Sequence, residues 1–163
     1  MAGRLPWRNV KALTELIAQP DVVMPDLSAN SREAALRAMH EELARVAAVT
    51  EPALLLRDLL ERALVASVCI APDVALPHAR TAAVQRIVMA VARVRAPGVG
   101  FDAEHPNVRL VFMIGTPREQ VAAYLELVAR ITRLLRTDGV RPELMAAATE
   151  AEFRQCLARG AER

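Results

Sequence analysis

The sequence predicts an α/β domain, a mixed β-sheet flanked by helices on both faces, and three observations carry that expectation. Long amphipathic segments and short β-branched runs succeed one another along all 163 residues. One of those runs, "NVRLVFMIGTP", is apolar almost without a break from Val108 to Ile114, as a strand covered on both faces must be. The order helix, strand, helix, helix, strand, strand, strand, helix, helix, helix supplies enough helix to cover both sides of such a sheet. A chain of this length suits a single domain spanning 1–163.

The elements follow in order. Residues 8–19, "RNVKALTELIAQ", set Val10, Leu13, Leu16 and Ile17 at helical spacing, and Pro20 with Asp21 ends them. "DVVMPDL" is a short strand. "SANSREAALRAMHEELARVAAV" then predicts a long helix capped by Asn30 or Ser31, with Glu33 or Glu41 in support. Thr50 is the expected cap of the next helix, with Glu51 and Pro52 at its start and Leu55, Leu59, Leu60 and Leu64 on one face. "VCIAPDVAL", with a Pro-Asp turn in its middle, enters the sheet just before His78.

Ile87, Met89, Val91 and Val94 alternate as a strand that "PGVGF" ends. After the 107–117 strand, "REQVAAYLELVARITRLLR" predicts a helix with Val121, Leu125, Val128, Ile131 and Leu135 as its apolar stripe. "RPELMAAAT" and "EAEFRQCLARG" are short terminal helices, the second capped by Thr149 with Glu152 three residues on.

Composition narrows the function classes. Only five aromatic residues accompany an alanine-rich 53% apolar content, so the core is aliphatic. Lys11 is the sole lysine, and the net charge of +2 hides intermixed signs with no basic block interleaved with aromatics. Nucleic-acid binding is not expected. Cys69 and Cys156 form no CxxC, no secretory signal precedes them, and no run of about eighteen apolar residues occurs. A cytoplasmic protein with reduced thiols and no membrane insertion is expected.

His40, His78, His105, Cys69 and Cys156 show no ligand pair at helical spacing and no CxxC or HExxH, so no metal is expected. GxSxG, GxGxxG and the Walker A loop are missing as well, and no cofactor is expected. His40, within "RAMHEEL", reads as a solvated helix position, and His105, within "DAEHPNV", as part of a polar turn.

His78 differs, because apolar "VAL" and then Pro77 lead into it, which leaves its ring exposed yet held. Two readings stay open: a reactive imidazole, or a loop histidine that merely caps the following turn. For the first, a neutral ring nitrogen is a good nucleophile near neutral pH and its phosphoramidate can pass a phosphoryl group on. Such a site needs cationic and hydroxyl donors for the phosphoryl oxygens, and Arg62, Ser67 and Arg80 are the nearby candidates.

The segment "ERALVASVCIAPDVALPHAR" resembles the type-2 IIA domain of the bacterial phosphoenolpyruvate-dependent sugar phosphotransferase system, the fructose, mannitol and nitrogen-regulatory group. Arg62, Ser67 five residues on, and Ala75-Leu76-Pro77-His78 match that family's arginine, serine and A-[IL]-P-H at its spacing. "LSANSREAALRAMHEELA", "VRLVFMIGTP" and "YLELVARITRLL" extend the likeness from about residue 13 to 158. The resemblance implies a mannitol/fructose-type α/β sandwich in which His78 accepts a phosphoryl group from the histidine phosphocarrier protein. It also implies delivery to a IIB domain or use of the group as a regulatory signal. Arg62 would steady the phosphoryl charge, with Ser67 as a nearby hydroxyl.

Tyr124 stands where the family often carries a second histidine, and it would supply a hydroxyl donor instead. Ala63, Val68, Cys69, Ala71 and Asp73 depart from the family's pattern. They predict a stiffer loop before His78 and, at Asp73, a negative charge in the path of the incoming phosphoryl group. A second implied role is a non-catalytic regulatory binding protein of diverged IIA fold, a reading that the lack of a fused IIB or IIC segment suits.

Overall fold

The computed structural model describes residues 10–163. Along them run α1 (Val10–Ala18), β1 (Val22–Leu27), α2 (Arg32–Leu43), α3 (Pro52–Val65), β2 (Cys69–Ala71) and β3 (Val74–Ala75). Then come β4 (His78–Arg80), β5 (Val88–Val94), β6 (Leu110–Thr116), α4 (Val121–Arg136), α5 (Val140–Ala146) and α6 (Glu150–Ala161). Arg8 and Asn9, the first residues of the expected opening helix, lie outside the described residues.

The sheet is mixed, in the order β1-β5-β6-β3-β2, with β4 also on β6. Its centre is the antiparallel pair β5/β6, where Val91 faces Phe112. β1 lies parallel to β5, and β3 and β4 lie parallel to β6 one after the other along the same edge. All of β6 is buried, and side chains alternate across it as the pleat requires. Val111 and Met113 pack with Leu36, Met39, Leu55 and Leu59 of α2 and α3. Phe112 and Ile114 pack with Leu127 and Ile131 of α4 and Phe153 of α6. Helices thus cover both faces, as expected from the near-continuous apolar strand.

The segment expected to enter the sheet as one strand is divided. β2 and β3 form an antiparallel hairpin turning at Pro72 and Asp73, and a new strand begins at His78. Pro77 explains the break. It has no N–H to give to a ladder, while its carbonyl accepts from Ile114 N at 2.9 Å, so the chain stays on β6 as it passes.

Local signals at the helix starts hold in two of three places. Ser31 Oγ accepts from Ala34 N, and Thr149 Oγ1 accepts from Glu152 N while Glu152 Oε2 accepts from Ala148 N. Thr50 is not the cap of α3. That position is Glu51, and Thr50 Oγ1 donates to Ala83 O at 3.1 Å, tying the helix start to the strand side. The helix begun at Arg32 stops at Leu43, well before the expected end at Val49.

The apolar stripes are also offset from expectation. α3 buries Leu55, Leu59 and Ala63, while Leu64 is 75% exposed. α4 buries Ala123, Leu127, Ile131, Leu134 and Leu135, while Leu125 is 59% exposed. Both helices do approach the sheet through large aliphatic residues, but on a face rotated to bring in Ala63 and Ala123 and to leave Leu64 and Leu125 outside.

Candidate functional site

His78 sits half-buried at the first position of β4, where its backbone is registered to Ile114. Its Nδ1–H donates to the Leu76 carbonyl at 3.0 Å. That bond assigns the ring proton to Nδ1 and leaves the Nε2 lone pair free. The Tyr124 ring stacks on the imidazole, with centroids 4.8 Å apart and planes at 29°. Burial pushes the His78 pKa below its ordinary 6.5; the Leu76 hydrogen bond opposes this, and the Arg62 charge adds to it. The ring is therefore neutral near physiological pH, which is the nucleophilic form. Burial raises the Tyr124 pKa, so its hydroxyl keeps its proton as a donor.

Around the ring lies a cleft of about 420 Å³ walled by α3, β4 and α4. Arg62 and Arg80 line it, together with Tyr124 and the apolar Val65 and Leu125. Val65 is 81% exposed, so the cleft mouth has an apolar rim. Arg62 donates one bond to Ala66 O at 3.2 Å, across the last turn of α3.

Two acidic residues in the cleft, Asp58 and Glu61, escape a reading of the sequence. The Asp58 side chain is 11% exposed, and its Oδ2 has no hydrogen-bond partner among the described residues. The available signal was helical spacing, since Asp58 precedes Arg62 by four and shares its face.

Ser67 does not join this group. Its Oγ donates to Asp102 Oδ2 at 2.7 Å and accepts from Cys69 N at 3.2 Å. It lines a separate pocket of about 210 Å³ with Arg32, Phe101 and Asp102. Asp73 also lies outside the His78 cleft. Its carboxylate pairs with Arg141 of α5, and its carbonyl accepts from Arg109 N and Leu110 N at the start of β6. The repulsion expected from Asp73 thus has no basis in the geometry.

His40 corrects the expectation of a solvated side chain. It is buried, and its Nε2–H donates to Pro52 O at 2.7 Å, joining α2 to the start of α3. His105 lies in a turn as expected, with its Nδ1 at 2.6 Å from Asp102 Oδ1. Among the described residues, no helix is long and apolar enough to cross a membrane.

Comparison with known proteins bears on this geometry. Residues 16–160 match the profile of the family described as "Phosphoenolpyruvate-dependent sugar phosphotransferase system, EIIA 2". A nitrogen regulatory protein of Bradyrhizobium diazoefficiens is 30% identical over 135 residues, covering 82% of this chain and 86% of the relative. Nitrogen regulatory protein IIA-Ntr of Neisseria meningitidis superposes with a TM-score of 0.76 at 22% identity, over 90% of this chain and 99% of that one. The Escherichia coli mannitol IIA, solved in complex with phosphorylated mannitol IIB, has a TM-score of 0.71 at 20% identity, over 85% and 95% of the two chains.

Proposed function

The chain belongs to the EIIA 2 family of the phosphoenolpyruvate-dependent sugar phosphotransferase system, and from that premise we propose that it is a phosphohistidine carrier with His78 as its acceptor. The observation that carries this reading is the Nδ1–H bond to the Leu76 carbonyl, which leaves Nε2 as the free lone pair of a neutral, half-buried ring. Nε2 attacks the phosphorus of a phosphohistidine on the donor. The new Nε2–P bond forms as the donor's N–P bond breaks, and the donor nitrogen keeps the bonding electron pair.

Arg62 and Arg80 receive the phosphoryl oxygens as charge-assisted donors. The Tyr124 hydroxyl stands ready as a third donor, and its ring holds the imidazole plane. Ser67, committed to Asp102, acts in this reading on the loop that follows Arg62. The donor is the histidine phosphocarrier protein, met in the cytoplasm, and its approach is favoured by the apolar rim at Val65 and Leu125.

The likeness to a nitrogen regulatory protein at 30% identity favours regulation over sugar uptake as the fate of the group. A phosphoryl group brings about −1.5 to −2 charges to that apolar-rimmed cleft, enough to change which protein binds there. A IIB domain remains the alternative recipient. Incubation with phosphoenolpyruvate, enzyme I and the phosphocarrier protein is expected to add one acid-labile phosphoryl group, observed by mass spectrometry. No gain, with a known IIA domain phosphorylated in parallel, overturns the reading.

A pH dependence follows from the same ring. Acceptance should be flat above the His78 pKa and fall as pH drops through it, because protonation occupies Nε2. That midpoint is expected below 6.5. In Arg62→Ala the neighbouring positive charge is gone, so the His78 midpoint moves to higher pH. Proton NMR titration of the imidazole reads this directly, and an unmoved or lowered midpoint contradicts it.

A further inference from the structure

Away from the His78 cleft, the fold gathers three side chains of metal-ligand chemistry from two segments that lie far apart in sequence. Cys69 is the first residue of β2, while Asp102 and His105 are the two partners of an isolated antiparallel bridge in the turn before β6. One donor atom from each lies within 4.8 Å of the other two. Because these residues stand more than thirty positions apart in two segments, motif spacing gave no sign of them.

We propose that Cys69, Asp102 and His105 form a binding site for a divalent transition metal of the zinc class. One sulfur, one carboxylate oxygen and one imidazole nitrogen make a donor set suited to Zn²⁺, with water as the fourth tetrahedral ligand. Thiolate and imidazole select against Mg²⁺ and Ca²⁺, which require oxygen.

The surroundings already orient the ligands. Asp102 Oδ2 accepts from Ser67 Oγ at 2.7 Å, and Asp102 Oδ1 accepts from Glu104 N at 2.9 Å. Such outer hydrogen bonds hold a ligating carboxylate in place. The turn itself is held by Phe101 N donating to His105 O at 3.0 Å and His105 N donating to Asp102 O at 3.2 Å. Ser67 is bonded to the aspartate and not to the histidine, so the three-residue chain Ser67–Asp102–His105 lacks the order of a hydrolytic triad.

Charge balance fits one dication. A Cys69 thiolate and the Asp102 carboxylate contribute two negative charges that offset those of the ion, and His105 binds neutral. Binding therefore forms the metal–sulfur bond and releases the thiol proton to solvent, one per metal. A bound ion would link the start of β2 to the 102–105 turn.

Cobalt(II) is the probe. Chelator-treated protein titrated with Co²⁺ is expected to develop thiolate-to-cobalt charge transfer and tetrahedral visible bands at one equivalent, both lost on adding Zn²⁺. Cys69→Ser should abolish the charge-transfer band, and Asp102→Asn and His105→Ala should each weaken Co²⁺ binding at least tenfold. Cys156→Ser and His78→Ala should leave the signal intact, the latter separating this site from phosphoryl transfer. Thermal melts of the metal-free variants establish that each is folded. No charge-transfer band in the wild type, its persistence in Cys69→Ser, or its loss in Cys156→Ser overturns the proposal.

Discussion

His78→Ala is expected to take up no phosphoryl group from the phosphorylated carrier protein, yet to remain folded with a Tm only roughly 6–12 °C below the wild type. Acceptance should be lost because the imidazole is the neutral nucleophile of the cleft, whereas the Asp58 and Glu61 carboxylates that also line it repel an incoming phosphoryl group by like charge. Tyr124 stacks on it, but burial raises the phenol's pKa, so near neutral pH the hydroxyl is protonated and unreactive. Arg62 and Arg80 have no lone pair to offer. The fold survives because the substitution removes only a half-buried ring, one hydrogen bond to the Leu76 carbonyl and one aromatic contact. Those contributions are each about 1 kcal/mol. Mass spectrometry after incubation with the donor system, paired with a thermal melt, checks both halves. A variant that is phosphorylated as fast as wild type removes His78 from the mechanism, whatever its stability.

The second large effect is on stability. Phe112→Ala is expected to destabilise the fold by about 3–5 kcal/mol, the range for a fully buried phenylalanine. Phe112 has no exposure, lies opposite Val91 at the centre of the sheet, and fills the space between the sheet and Leu127, Ile131 and Phe153. In a chain of this size that corresponds to a fall of roughly 6–20 °C in Tm. The informative control is Leu64→Ala. The periodicity of α3 puts Leu64 in its core stripe, but it is 75% exposed, so its loss should fall within about 0.5 kcal/mol of neutral. Denaturant melts of the two variants separate the observed packing from the periodic one. Equal losses would contradict the placement of α3.

The same contrast shows how far the residues spoke for themselves. The run from Val108 to Ile114 announced a strand buried on both faces, and from Leu110 onward it lies wholly inside as β6. The two side-chain caps, Ser31 and Thr149, were also legible, because a cap is a contact three residues along the chain. Which side of α3 and α4 faces inward was less legible. Leucines at helical spacing define more than one stripe, and the face that packs inward carries Leu55, Leu59 and Ala63 in α3 and Ala123, Leu127 and Ile131 in α4. His40 was misjudged for a similar reason: charged neighbours in sequence surround it, while its partner, the Pro52 carbonyl, comes from the next helix.

The candidate site divides along the same line. The residues themselves pointed to the α/β architecture, to His78 as the histidine of interest, and to Arg62 as its company, because Pro77 and the helix before it act over short stretches of chain. Only the packed structure assigned the ring proton to Nδ1, put Tyr124 face to face with the imidazole, and brought Asp58 and Glu61 into the cleft. It alone sent Ser67 to Asp102, paired Asp73 with Arg141, and gathered Cys69, Asp102 and His105. Caps, turns and buried strands are written in contacts a few residues long, which the order of residues encodes directly. Burial, ion pairing and ligand geometry depend on contacts that span from 12 residues, for His40 and Pro52, to 68, for Asp73 and Arg141, and those form only once the sheet and its helices have closed on one another.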